Sequence, residues 1–229
     1  MSTQTAQSIF ASAGDRRNGA AKALPFAEVV NTITHGVGIP LSLAGAALLL
    51  LRVSASGDAL RIIACAVYSA TLAGVFTAST LSHCFVCPIA RHRFRALDQG
   101  LIYLLIVGSF TPFSIAFLQE PIWRAHLGVM WIIAIWGFAS KIGYSHRVDA
   151  HRIWSYLLLA VLGAIPAFST YGAAPQAVHG WVFLGGGAFL LGVLFFLVDL
   201  QRYHFHAIWH LLVIAGCACH YVGIYYYVA

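Results

Sequence analysis

Residues 204–228 read HFHAIWHLLVIAGCACHYVGIYYYV, an apolar run without Asp, Glu, Lys or Arg and with three histidines at its mouth. A helix rising about 1.5 Å per residue crosses the roughly 30 Å hydrocarbon layer of a bilayer in about twenty residues, so this run is long enough to span it. Imidazoles leading into hydrocarbon need partners, and His204, His206 and His210 therefore ask for a chemical explanation before a packing one.

Apolar runs of similar length, each with one or two charged residues, recur upstream at 27–51, 59–83, 97–118, 123–141, 152–172 and 178–199. The chain is 60% hydrophobic and 9% charged with a mean hydropathy of +0.82, a balance far from that of a water-soluble domain. An all-α membrane protein of seven transmembrane helices is expected, because the runs lack the ten-residue alternation of an outer-membrane barrel. Residues 1–22 carry no apolar h-region and read as a disordered tail ahead of a single membrane domain at 23–229. The GGG at 185–187 is expected to allow close helix contact within the sixth span.

Arg16, Arg17, Lys22, Arg91, Arg93, Arg95, Lys141, Arg147, Arg152 and Arg202 fall on one side of the seven spans, and Arg52, Arg61 and Arg124 on the other. By the positive-inside rule the N-terminus is cytoplasmic and the C-terminus outside. Trp123, Trp181 and Tyr225–Tyr227 then mark the outer interface, and Tyr144, Trp154 and Tyr203 the inner one. The net charge of +6 suits anionic inner-leaflet lipid and needs no nucleic acid. A retinal protein would need a lysine in its last helix, where this chain has none, and a G-protein-coupled receptor would place its N-terminus outside.

This orientation gives each intramembrane polar residue a depth. His83 ends the second span, Asp98 opens the third, and the three histidines open the seventh. Glu28, Asn31 and His35 lie on one face of the first span at i, i+3, i+7. All of them fall at the cytoplasmic end. His206 and His210, at i and i+4, project from one face and can share an ion. With His83 they make a His₃ set that leaves Zn²⁺ a fourth position open to water. Asp98 is placed to take a proton from that water, and Ser79, one turn before His83, to hydrogen-bond the aspartate or polarise a carbonyl. Glu28, Asn31 and His35 read as a polar clasp between helices, and Asp199 as a surface ion pair with Arg202. His204 reads as an interfacial bystander and His220 as structural. His92, His126, His146, His151 and His179 are expected to be solvated. The CxxC of Cys84 and Cys87 and the CxC of Cys217 and Cys219 could suggest a thiolate site, but Cys217 lies about 10 Å deeper than His210. The cysteines are therefore expected to be reduced packing residues.

EVVNTITHGVG (28–38), SATLAGVFTASTLSHC (69–84), LDQGLIYLLIVGSFTPF (97–113) and HAIWHLL (206–212) resemble the haemolysin III proteins, the bacterial branch of the progestin and adipoQ receptor (PAQR) superfamily. The resemblance implies seven helices with the N-terminus inside, in the bacterial inner membrane. It also implies a zinc ion near the cytoplasmic face held by His83, His206 and His210, with Asp98 and Ser79 around its water. Gln99 stands where bacterial relatives often carry histidine, a difference expected to touch the surroundings of the ligands and not the set. The superfamily is similar to the alkaline ceramidases, which implies a lipid amide or ester hydrolase acting on a ceramide-like or acyl-lipid substrate, in membrane lipid or fluidity homeostasis. A non-enzymatic membrane sensor with structural zinc is the alternative. A pore ranks third, because conduction needs polar residues through the full thickness. Oligomeric state is not legible.

Overall fold

The computed structural model describes residues 24–144, 153–169, 174–198 and 204–229. Seven helices occupy them: α1 (Phe26–Ser54), α2 (Ala59–Cys84), α3 (Pro88–Phe117), α4 (Pro121–Gly143), α5 (Ile153–Ser169), α6 (Gln176–Val198) and α7 (Phe205–Tyr227). Six are long and apolar enough to cross a membrane; α5 is apolar but has 17 residues, about 25 Å of helix. Residues 152 and 170–172 of the expected fifth span lie outside the described residues. So do the expected tail at 1–22, the Asp199–Arg202 pair, Tyr203, His146 and His151.

Local chemistry sets the helix starts. Asp58 caps α2, its carboxylate accepting from the backbone N–H groups of Leu60 and Arg61 at 3.0 and 3.2 Å. Pro88 and Pro121 stand in the first turns of α3 and α4, where a missing N–H costs nothing. The third helix thus begins well before the expected residue 97. Its first turns carry Arg91, Arg93 and Arg95, so a search for apolar residues stops short of them, although arginine is a good helix former.

The chain closes into a bundle by packing α1 on α2, α2 on α3, α3 on α4, α6 on α7 and α1 on α7, with α3 also meeting α5 and α7. Half of the most apolar window of α3 is buried, against 11% of that of α6, so α3 is the central post and α6 a lipid-facing wall. The main core joins Leu49, Tyr68, Leu72, Phe76, Phe113, Val213 and Ile224 from α1, α2, α3 and α7. At the end of the bundle away from the histidines, the Arg52 guanidinium lies 4.8 Å from the Tyr225 ring centroid and Arg61 donates to the Val228 carbonyl at 3.4 Å.

Only Gly185 of the GGG triplet is needed for close approach: a Cβ there would meet the His220 ring of α7, whereas Gly186 and Gly187 face open space. His126 and His179 are not solvated. Pro166 has no N–H to give the carbonyl of Leu162 four residues earlier, and His126 of α4 bonds that carbonyl through Nε2 at 3.0 Å. His179 is buried, with Nε2 3.1 Å from the Ala167 carbonyl. His220 is structural as expected, 3.3 Å from the Val182 carbonyl. Cys65 and Cys217 are buried, but Cys84 and Cys87 flank the α2–α3 turn and are exposed, so packing does not explain them; all five cysteines are free.

Candidate metal centre

Helices α1, α2 and α7 meet at the histidine end, and each brings at least one histidine. α2 brings Ser79 and His83, one turn apart on one face; α7 brings His206 and His210, also one turn apart; α1 brings Glu28, Asn31, Thr34 and His35. One ligand atom from each of His83, His206 and His210 lies within 4.8 Å of the others. Three nitrogens on one tetrahedral zinc, each about 2.0–2.1 Å from it, stand roughly 3.4 Å apart, so small side-chain movements close the set.

The hydrogen-bond network decides which ring nitrogens are available. His83 is buried, and its Nδ1 lies 2.6 Å from Glu28 Oε2. The other carboxylate oxygen of Glu28 faces the Arg91 guanidinium at 3.3 Å, which keeps the group an anion and an acceptor. His83 therefore donates from Nδ1 and has its Nε2 lone pair left for a metal. At His210, which is 1% exposed, Nδ1 lies 3.0 Å from Thr34 Oγ1. Thr34 gives its single proton to the Asn31 carbonyl at 3.0 Å, so its oxygen accepts from His210, whose Nε2 is again the bare nitrogen. Both histidines thus carry the partner that orients metal-ligating imidazoles in proteins. The donor set and its supports fit a zinc-class ion.

A second chain of contacts runs beside the first. His35 stacks on His210 with ring centroids 3.6 Å apart and packs on the edge of Phe76. Its Nδ1 lies 2.7 Å from Ser79 Oγ. Asp98 of α3 lies within electrostatic reach of both Ser79 and His206. His35 Nε2 is buried without a hydrogen-bond partner.

All eight side chains singled out in the sequence thus come to one end of the bundle. Glu28 and His35 do more than clasp helices: one orients a histidine of the cluster and the other supports the serine beside Asp98. Thr34, Arg91 and Lys141 were missed. Thr34 lies at the edge of the polar face of α1, a weak signal; Arg91 was absorbed into the topology count. Lys141 was taken for a loop charge, yet it is 3% exposed in the last turn of α4 and donates to Gln99 Oε1 at 2.8 Å. Gln99 thereby points to α4, outside the histidine cluster.

Fold and site together define a multi-pass α-helical membrane protein with a three-histidine cluster able to hold a metal at one end. The chain matches the haemolysin-III related family model over residues 25–221. It belongs to that haemolysin III family, within the PAQR superfamily. It is 32% identical over 203 residues to Hemolysin-3 of Bacillus cereus, covering 88% of this chain and 91% of the relative. It is 28% identical to the Hemolysin-3 homolog of Bacillus subtilis (strain 168), over 87% of this chain and 93% of the relative. It is also 28% identical to the human monocyte to macrophage differentiation factor, over 92% of this chain and 88% of the relative.

Proposed function

We propose that this protein is a zinc-dependent hydrolase of lipid amides or esters, working in membrane lipid homeostasis from seven spans of an inner membrane with its N-terminus in the cytoplasm. The observation that carries the reading is the pairing of a convergent His83–His206–His210 set, two of its rings fixed to offer Nε2, with a carboxylate at Asp98. The orientation draws support from Arg91, Arg93 and Arg95 at the histidine end, with Arg52, Arg61 and Arg124 near the helix ends opposite.

Zinc, when bound, supplies Lewis acidity, polarising a carbonyl and making water a nucleophile near neutral pH. His83 and His210 hold their rings against Glu28 and Thr34. Asp98, beside Ser79, takes a proton from water and returns it to the leaving nitrogen or oxygen, so that one water is consumed for each fatty acid and amine or alcohol released. The chain's exposed apolar side chains leave the acyl tails in the bilayer.

Elemental analysis of protein purified without added metal tests the centre: wild type should carry about one zinc per chain, and His210→Ala close to none. Fatty-acid release from ceramide-like and phospholipid substrates then tests the activity. Asp98→Asn should keep its metal and lose release. Zinc-loaded protein that releases nothing, with Asp98→Asn indistinguishable from it, would sink the hydrolase.

A second reading, a non-enzymatic membrane regulator with structural zinc, is favoured by one observation: ligands from α2 and α7, with supports from α1, tie three helices together. Under it, alanine at any of the three histidines lowers thermal stability, whereas Asp98→Asn leaves both stability and signalling intact. A pore ranks third, because Tyr68, Leu72, Phe76, Phe113 and Val213 fill the bundle centre.

A further inference from the structure

Neither the core nor the histidine cluster accounts for the two cysteines of the α2–α3 turn. Cys84 is the last residue of α2, directly after His83, and Cys87 immediately precedes α3. Both are exposed and free, whereas Cys65 and Cys217 are buried. Arg91, Arg93 and Arg95 follow within about two helical turns, so the cysteines stand at the water-facing edge of the bundle. The backbone N–H groups of Ala90 and Ile89 lower the pKa of the Cys87 thiol, which favours Cys87 as the nucleophile of the two.

A chain of contacts ties this turn to His83. The Phe85 carbonyl accepts from Arg91 Nε at 2.9 Å, and the Phe85 ring stacks on Phe94 with centroids 5.1 Å apart. The same guanidinium faces Glu28 Oε1 at 3.3 Å through Nη1, and Glu28 Oε2 holds His83 Nδ1 at 2.6 Å. A disulfide needs its Cα atoms about 4.4–6.8 Å apart. Phe85 is extended, at φ −80° and ψ 130°, so closing a ring across it folds the linker and pulls on the carbonyl that Arg91 holds. We propose that Cys84 and Cys87 are a reversible dithiol–disulfide site, oxidised by low-molecular-weight disulfides, whose state sets how firmly Arg91 and Glu28 orient His83. Cys87 gives its proton to solvent and attacks one sulfur of the small disulfide, breaking that S–S bond, and the departing thiolate takes up a proton. Cys84 then attacks Cys87 Sγ, gives up its own proton and expels the second small thiol. Two protein thiols are oxidised while one small disulfide is reduced to two thiols. In a reducing cytoplasm such a pair is a sensor and not a staple. The inference rests on the histidine cluster as a metal centre and needs no hydrolysis.

The test uses the full chain in detergent, equilibrated with mixtures of reduced and oxidised glutathione. Peptide mapping should find a Cys84–Cys87 disulfide, and Cys84→Ser should stop at a glutathione adduct on Cys87. Chelator competition should then show the oxidised chain binding zinc about threefold to tenfold more weakly than the reduced chain, with the Cys84→Ser/Cys87→Ser double variant indifferent to the treatment. Coupling between two sites is reciprocal, so saturating zinc should raise the reduction potential of the pair by the same factor, about 15–30 mV. Arg91→Lys keeps the charge but cannot hold Phe85 and Glu28 together, and should bring the zinc ratio to within about twofold. Thiols that stay free in oxidised glutathione, or a disulfide that leaves zinc affinity unchanged, overturn the proposal. So does a potential shift that survives His210→Ala, since the cysteines would then be holding the zinc themselves. The readings can fail separately. Zinc-dependent hydrolysis in a chain whose cysteines never pair removes the thiol site alone; the expected ratios without any fatty-acid release remove the hydrolase alone; and a chain that binds no zinc in either state removes both.

Discussion

Replacing Glu28 by glutamine keeps the shape of the side chain and removes its charge, which makes it the most direct probe of how the histidine cluster is oriented. In the native protein the carboxylate accepts from His83 Nδ1 at 2.6 Å while Arg91 faces its other oxygen at 3.3 Å. Hydrogen bonds to charged groups are worth about 1.5–3 kcal/mol. Glu28 keeps 19% of its side-chain exposure and His83 keeps 8%, so water screens the pair in part and the lower end of that range applies. A loss of about 1.5–2 kcal/mol corresponds to a weakening of zinc affinity of roughly tenfold to thirtyfold, in keeping with the tenfold to hundredfold typical of such partners. Competition with a chromophoric chelator in detergent measures it directly. Thr34→Val is the companion: it removes a neutral acceptor from His210, and the expected loss is only about threefold to tenfold. If Glu28→Gln bound zinc within a factor of about two of wild type, the tautomer argument and the choice of His83 as a ligand would both fail.

Three further outcomes follow from the packing and the caps. A Cβ at Gly38 would stand 2.6 Å from ring carbons of Phe76, so Gly38→Ala should cost about 1–3 kcal/mol in thermal unfolding, with recovery in the Gly38→Ala/Phe76→Leu double variant; a neutral single change would contradict the close α1–α2 approach. His126→Ala should cost about 0.5–1.5 kcal/mol in the native background but little in a Pro166→Ala background, where the restored N–H takes the Leu162 carbonyl; equal costs in both would show that the proline does not create the need for the histidine. The backbone N–H groups of Ala90 and Ile89 at the start of α3 lower the pKa of the Cys87 thiol, so thiolate forms at lower pH and iodoacetamide should label Cys87 faster than Cys84 near pH 7; equal rates would refute that influence.

The helices were legible because hydrophobic length is a local property. Where that length misled, at the start of α3, the cause was a charged extension that is helical without being apolar. The fifth helix, at 17 described residues, shows the opposite limit: its composition is that of a span, but length alone does not make it one. His126 and His179 were misread because their acceptors, the Leu162 carbonyl that Pro166 leaves without an intrahelical donor and the Ala167 carbonyl, lie on a neighbouring helix and leave no mark beside either histidine in the sequence. Lys141 was misread because a lysine at the end of an apolar run looks like an interfacial charge until a partner such as Gln99 is seen across the bundle.

By itself the sequence determined which residues share a helical face and at what depth, because both follow from the pitch and rise of a single helix. That was enough to bring His83, His206, His210 and Asp98 to one layer. Only the tertiary structure decided which nitrogens of the His83 and His210 rings are committed to a neighbour, that Thr34 supports His210 and Glu28 supports His83, and that Asn31 lines a cleft. Those facts depend on the rotation and tilt of one helix against another, which are set by packing shape across the bundle and leave no periodic trace along the chain.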